Sequence, residues 1–191
     1  IVLAACASEP PATELGMSFA RASFYDAPFP SDDLRTGGHV DLSKLPDPDK
    51  PAIMEQARTL LADADGFART GGIYFRASAA LDPKSLPDLA GSVASGASVF
   101  LVGVDPTAPD FLMKRPISVA FLPDGGPFGA PDLLALLPLQ GVPLASGETY
   151  AAVVTTGVKD KAGQPIARAD AVVARDGGGA PAGLAGDALA T

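Results

Sequence analysis

The sequence predicts a mainly β protein, an antiparallel sandwich with one short amphipathic helix and long N-terminal loops. Three observations predict it. Short β-rich runs recur over residues 72–156, divided by Gly and Pro turns at the spacing of an antiparallel sandwich. Only one segment carries the apolar period of a helix. The 191 residues include 21 Gly and 19 Pro, high for a helical protein and suited to a loop-rich β domain.

Residues 7 to about 50 read mostly as irregular structure. Within them, 24–35 (Phe-Tyr-Asp-Ala-Pro-Phe-Pro-Ser-Asp-Asp-Leu-Arg) sets aromatic side chains between prolines, which hold the backbone extended. Such a segment is expected to lie across a sheet with its aromatics as plugs. Residues 51–62 are the one convincing helix. Ile53, Met54, Ala57, Leu60 and Leu61 form a single apolar stripe, Asp49 and Pro51 mark a start, and Gly66 marks a stop. The stripe is expected to pack against the sheets.

The strands follow in order. Residues 72–79 are a mixed apolar run, closed by the proline-bounded turn 82–87. In 98–104, Val99, Leu101 and Gly103 alternate with Phe100, Val102 and Val104. Both faces are apolar, which predicts a central strand. In 116–122, Ile117, Val119 and Phe121 share one face and Ser118 and Ala120 the other. Residues 133–139 and 149–156 complete the set. From Ala167 the pattern dissolves, and Gly177-Gly178-Gly179-Ala180-Pro181-Ala182-Gly183 reads either as a flexible tail or as a linker to a further domain.

Charge and composition exclude several function classes. The formal net charge is −8, and the Lys and Arg clusters that neutralise phosphates are missing, so no nucleic acid partner is expected. Cys and His each occur once, which rules out an internal disulfide and a zinc site built from them. No stretch after residue 6 is long and apolar enough to span a bilayer. Neither a P-loop nor a dinucleotide fingerprint occurs, so no nucleotide cofactor is expected; Gly71-Gly72 and Gly125-Gly126 read as turn residues. The absence of Trp argues against a carbohydrate-binding face.

A serine hydrolase needs a Ser on a sharp elbow, a His base and an acid to orient it. The G-x-S-x-G pattern does not occur. Gly16-Met17-Ser18-Phe19-Ala20 is the nearest string, and His39, the single histidine, falls in a predicted loop as a surface or loop-packing residue. No catalytic residue is therefore expected in this segment. Asp26, Asp32, Asp33, Asp41, Asp47 and Asp49 crowd the N-terminal loops. Calcium takes such oxygens, but no spaced D-x-D-x-D-G loop is present, and Asp63-Ala64-Asp65-Gly66 is only a fragment of one. Turn-forming, solvated aspartates explain the cluster better, and no metal site is assigned.

Two ends of the sequence carry resemblances. Leu3-Ala4-Ala5-Cys6 resembles a lipobox, the cleavage and acylation site of bacterial lipoproteins. It implies a signal-peptide remnant over 1–6, lipidation of Cys6, a polar tether over 7–23, and membrane contact through the lipid alone. The strings 73–86, ending in Asp82-Pro83-Lys84-Ser85-Leu86, and 137–165, with its dense turn Asp160-Lys161-Ala162-Gly163-Gln164-Pro165, resemble S-layer-type bacterial Ig-like domains. With Pro28-Phe29-Pro30-Ser31-Asp32 they look still more like the N-terminal Ig-like sandwich of virulence-factor-type extracellular lipases. That resemblance covers roughly 24–168 and implies an Ig-like domain there, with 169–191 as linker or tail. It further implies a non-catalytic accessory module of an exported envelope or outer-membrane lipoprotein. A downstream α/β-hydrolase (lipase or esterase) would then be its partner in cis. A stand-alone lipoprotein module for adhesion or surface structure is the other reading.

Overall fold

The computed structural model describes residues 14–20 and 22–168. The expected lipidation site Cys6, the beginning of the tether and the 169–191 segment lie outside the described residues. Within them the chain is mostly β, with three small antiparallel sheets and one α-helix.

Strands β1 (Arg35–Thr36) and β2 (His39–Val40) form a minimal hairpin through Gly37 and Gly38. Helix α1 (Ala52–Leu61) follows. One three-stranded sheet contains β3 (Ile73–Arg76), β6 (Ile117–Leu122) and β7 (Leu133–Pro138), in the order β3-β7-β6. The other contains β4 (Val99–Gly103), β5 (Lys114–Arg115) and β8 (Tyr150–Val154), in the order β5-β4-β8. Each longer strand lies within a run expected to form one, and β4 is central in its sheet, as expected of a strand with two apolar faces. The hairpin β1–β2 and the two-residue β5 were not expected. They are too short to show a period of two, and tertiary pairing alone fixes them.

One hydrophobic cluster receives the inward side chains of both three-stranded sheets. Ile73 and Phe75 of β3, Leu134 and Leu136 of β7 and Ile117 of β6 join Val99 and Leu101 of β4. Leu81, Val158 and Ile166, from the turns that follow β3 and β8, close one end of it. Of the buried polar groups, Ser92 is fully satisfied: its hydroxyl donates to the Leu89 carbonyl at 2.8 Å and accepts from the Ile117 N–H at 3.1 Å. The outer face of β4 is covered differently, with the Lys114 ammonium over the Phe100 ring at 4.2 Å.

The two turn strings that carry the family resemblance meet in space. Asp82 caps a short 3-10 turn over Pro83–Ser85, and its N–H donates to the Lys159 carbonyl at 2.8 Å. The Ser85 hydroxyl accepts from the Lys159 N–H at 3.0 Å. Asp160 organises its own loop by accepting from Ala162 and Gln164 N–H at 2.9 and 2.8 Å.

The aromatic segment plugs the β3 edge as expected. Phe29 and Tyr74 exchange two backbone hydrogen bonds of 2.6 and 3.0 Å. Phe24, buried, meets Tyr25 edge-to-face and Phe29 at a tilt, each with ring centroids 5.0 Å apart, and Phe29 meets Phe67 at 6.0 Å. Burial first, then the neighbouring Tyr74, raises the Tyr25 hydroxyl above its ordinary pKa.

Helix α1 departs from expectation. Its apolar stripe does not pack against the sheets: Ile53 is 68% and Leu60 83% exposed, and no α1 residue is buried. A polar clamp holds it instead. Arg58 reaches Asp47 at 2.7 Å and the Leu45 carbonyl at 2.9 Å, so the helix leans on the loop before it. The whole excursion closes on itself through the Val40 N–H and Ala64 carbonyl, 2.8 Å apart. A stripe of this period states that a face can be buried, and the two sheets had already filled each other's inner faces.

Urea unfolding separates these two kinds of apolar residue. Leu134→Ala removes a side chain with no exposed surface and is expected to cost about 2–5 kcal/mol. Leu60→Ala should stay within about 0.5 kcal/mol of the parent. Equal losses at the two positions would contradict the outward orientation of α1.

Candidate functional site

A cleft of about 610 Å³ opens on the side between β3 and β8. Ile73 and Leu101, core residues of the two sheets, reach its floor, and Tyr150 and Ala152 of β8 form one wall. Its rim comes from Arg35 of β1 and from two loops containing Arg69 and Glu148. Arg69 and Leu144 tie these two loops together: the Leu144 N–H donates to the Arg69 carbonyl, and the Arg69 guanidinium donates to the Leu144 carbonyl, each at 3.3 Å. Glu148 contributes a carboxylate oxygen, Oε2, that is shielded from solvent and has no hydrogen-bond partner among the described residues. Charged Asp32, Arg35, Asp65, Arg69 and Glu148 line the cleft beside the apolar Ile73 and Leu101, so its surface is as much polar as apolar.

Beside the cleft lies the main buried polar network. Asp110, 6% exposed, accepts from the Tyr150 hydroxyl at 2.8 Å and forms an ion pair with Arg115. The Tyr150 oxygen in turn accepts from the Ala145 N–H at 3.1 Å. Hydrogen bonding from Tyr150, and secondarily from Arg115, holds the Asp110 carboxyl below the usual carboxylate range, and Asp110 raises Arg115 further. The backbone arrives at Asp110 only because residue 103 is glycine. A Cβ there would lie 2.7 Å from the Asp110 carbonyl oxygen. The network joins β4, β5, β8 and two loops, and its chemistry is structural: Arg115 and Tyr150 already occupy the carboxylate.

The residues singled out in the sequence are scattered. Ser18 donates its hydroxyl to the Asp26 carbonyl at 2.9 Å, next to β3. His39 lies exposed in β2, paired with Thr36 across the hairpin. Several of the crowded aspartates act as turn and clamp residues. Asp26 accepts from the Ser23 N–H and pairs with Arg76 at 2.5 Å, Asp41 accepts from the Ser43 N–H at 2.8 Å, and Asp47 binds Arg58. Hydrogen bonding from Ser23 above all lowers the Asp26 carboxyl, and Ser43 does the same to Asp41. Among the described residues no three His, Cys, Asp or Glu side chains gather as metal ligands.

No protein-family model, curated protein or solved structure matches the chain. The cleft and the Asp110 network were missed in the sequence because their members are distant in it. Asp110 and Tyr150 are 40 positions apart and belong to no motif. The available signal was a carboxylate, Asp110, between Pro109 and an apolar triplet, with an arginine five positions later, just before an expected strand.

Acid titration tests the network. Asp110's folded pKa is depressed, so its contribution is complete above the ordinary Asp value of about 3.9 and disappears as pH falls through the lower folded value. The melting temperature of the parent should therefore fall between pH 5 and pH 2 more steeply than that of Asp110→Asn. Asp26 and Asp41, shifted in the same direction, leave a residual slope. Gly103→Ala should lose about 1–3 kcal/mol in chemical denaturation from the forced backbone contact. A neutral Gly103→Ala would remove the close approach from the account.

Proposed function

We propose that the chain is a non-catalytic Ig-like β-sandwich module of a bacterial lipid-anchored exported protein. In this reading it lies N-terminal to a lipase- or esterase-type α/β-hydrolase and acts as spacer or support for it. One observation carries the reading: the two turn strings that resemble the family pack on each other, Asp82 and Ser85 both bonded to Lys159. Motifs acquired by chance in separate loops have no reason to be mutually stapled. The single cluster shared by the β3-β7-β6 and β5-β4-β8 sheets is what two face-packed sheets require, which supports the sandwich. The lipid anchor rests on Leu3-Ala4-Ala5-Cys6, and the placement in the outer membrane or cell envelope follows from it.

The module's work in this reading is mechanical. A core built from short strands without disulfides, at a formal charge of −8, gives a soluble exported spacer. Ser18 is committed to a backbone carbonyl and His39 to the surface hairpin, so neither is arranged for acyl transfer.

Labelling in a bacterial host tests the proposal. Expressed behind an export signal, the protein should take up a clickable fatty acid, and Cys6→Ser should abolish the label. The purified chain should cleave p-nitrophenyl esters no faster than buffer. An exported, unlabelled parent would overturn the anchor, and turnover lost on Ser18→Ala or His39→Ala would overturn the non-catalytic reading.

A further inference from the structure

Two strand edges border the cleft, and among the described residues only one of them is paired. On β3, Tyr74 exchanges backbone hydrogen bonds with Phe29, and the Arg76 carbonyl accepts from the Ser18 N–H at 2.8 Å. On β8 the ladder itself fixes which groups are engaged. The Thr155 N–H donates to the Ser98 carbonyl and the Val104 N–H to the Thr149 carbonyl. By antiparallel alternation, Val153 with Phe100 and Ala151 with Val102 are then the hydrogen-bonded pairs between them. The N–H and C=O of Tyr150, Ala152 and Val154 therefore point away from β4. None of these groups has a backbone partner among the described residues. Nor does β8 carry the charge or proline that commonly blunts an edge.

The side chains along this edge favour a cation. Glu148, Tyr150 and Ala152 all line the cleft, and the Glu148 Oε2 atom has no hydrogen-bond partner among the described residues. Asp32, Asp65 and Glu148 outnumber Arg35 and Arg69 in the lining, and Arg35 already stands 3.9 Å from Asp32. The formal charge of −8 adds a long-range attraction for basic partners.

We propose that the edge of β8 binds an extended basic peptide segment of a partner protein. The segment pairs antiparallel with Tyr150–Val154 along the cleft and sets a Lys or Arg side chain against Glu148. Main-chain hydrogen bonds to Ala152 and Val154 supply affinity, and the alternate side chains that turn inward supply selectivity. Ala152 is small and the floor beneath it is Ile73 and Leu101, so inward positions take small apolar groups. Glu148 precedes β8, which places the basic residue towards the C-terminal end of an antiparallel segment. Seven extended residues span about 23 Å, enough to run from Val154 past Glu148. The inference concerns a surface alone and requires neither the lipid anchor nor a neighbouring hydrolase.

Residue-resolved amide hydrogen exchange on the full chain, with the heptapeptide Ac-Val-Thr-Ala-Thr-Val-Thr-Arg-NH2 as probe, tests the pairing. Without peptide, the Ala152 and Val154 amides should exchange within about tenfold of free rates, while those of Phe100 and Val102 are slow. Peptide at about 1 mM, with a Kd of about 0.1 mM, should slow Ala152 and Val154 about tenfold. N-methylation of the peptide's central alanine, whose N–H faces the Ala152 carbonyl, should abolish that protection. N-methylation of the threonine after it, whose N–H points away, should change the protection less than about threefold. Glu148→Arg should weaken binding about tenfold, and exchanging the peptide's arginine for glutamate should restore it. The Phe100 and Val102 amides report whether that variant remains folded. No slowing at Ala152 and Val154, equal sensitivity to the two methylations, or a failed charge swap would each overturn the proposal. Strong protection in dilute, peptide-free protein would overturn it by assigning the edge to the chain itself. Protection that grows with protein concentration would do so by assigning it to a second copy.

Discussion

The structure depends on the burial of β4 and β7 against a shared interior. Both are central strands, and each contributes side chains with almost no exposed surface: Val99 and Leu101 from one, Leu134 and Leu136 from the other. Full burial of such a side chain stabilises by roughly 1.5–3 kcal/mol. Without disulfides among the described residues, this apolar contact is the main term that offsets chain entropy. The edge strands inherit their positions from it, since β3, β6 and β8 pair onto the two centres.

Polar interactions then determine where the loops can go. Asp110 binds β5 through Arg115 and β8 through Tyr150, while Gly103 admits the loop backbone against β4. Elsewhere, Asp82 and Ser85 hold Lys159, which ties the turn after β3 to the turn after β8. Asp26 on Arg76 fastens the aromatic plug to the β3 edge. Each clamp couples sequence-distant segments through one or two side chains, and each leaves the apolar interior undisturbed.

How legible this was from the sequence varied with the range of the interaction. Strands of four or more residues were legible because their β-rich runs stand between Gly and Pro turns, and in 116–122 the alternation also records which face is inside. The turns were legible from Pro83, Gly163 and Pro165. The α1 residues were recognised as helical, yet the destination of the stripe was misread, because periodicity says nothing about which partner surface remains free. The cleft was not legible at all: Ile73, Leu101 and Tyr150 are joined only by the packing of two sheets. Asp110 and Tyr150 likewise show their relationship only after β4 and β8 have paired.

The bond between Val40 and Ala64 bears on how such a domain can vary. It brings the two ends of the 41–63 excursion together independently of what lies between them, and the excursion buries nothing in the shared interior. Loop closure depends only weakly on loop length. The helix is thus an appendix to the architecture, a cassette that could lengthen, shorten or be exchanged over evolutionary time while the sheets beneath it keep their register.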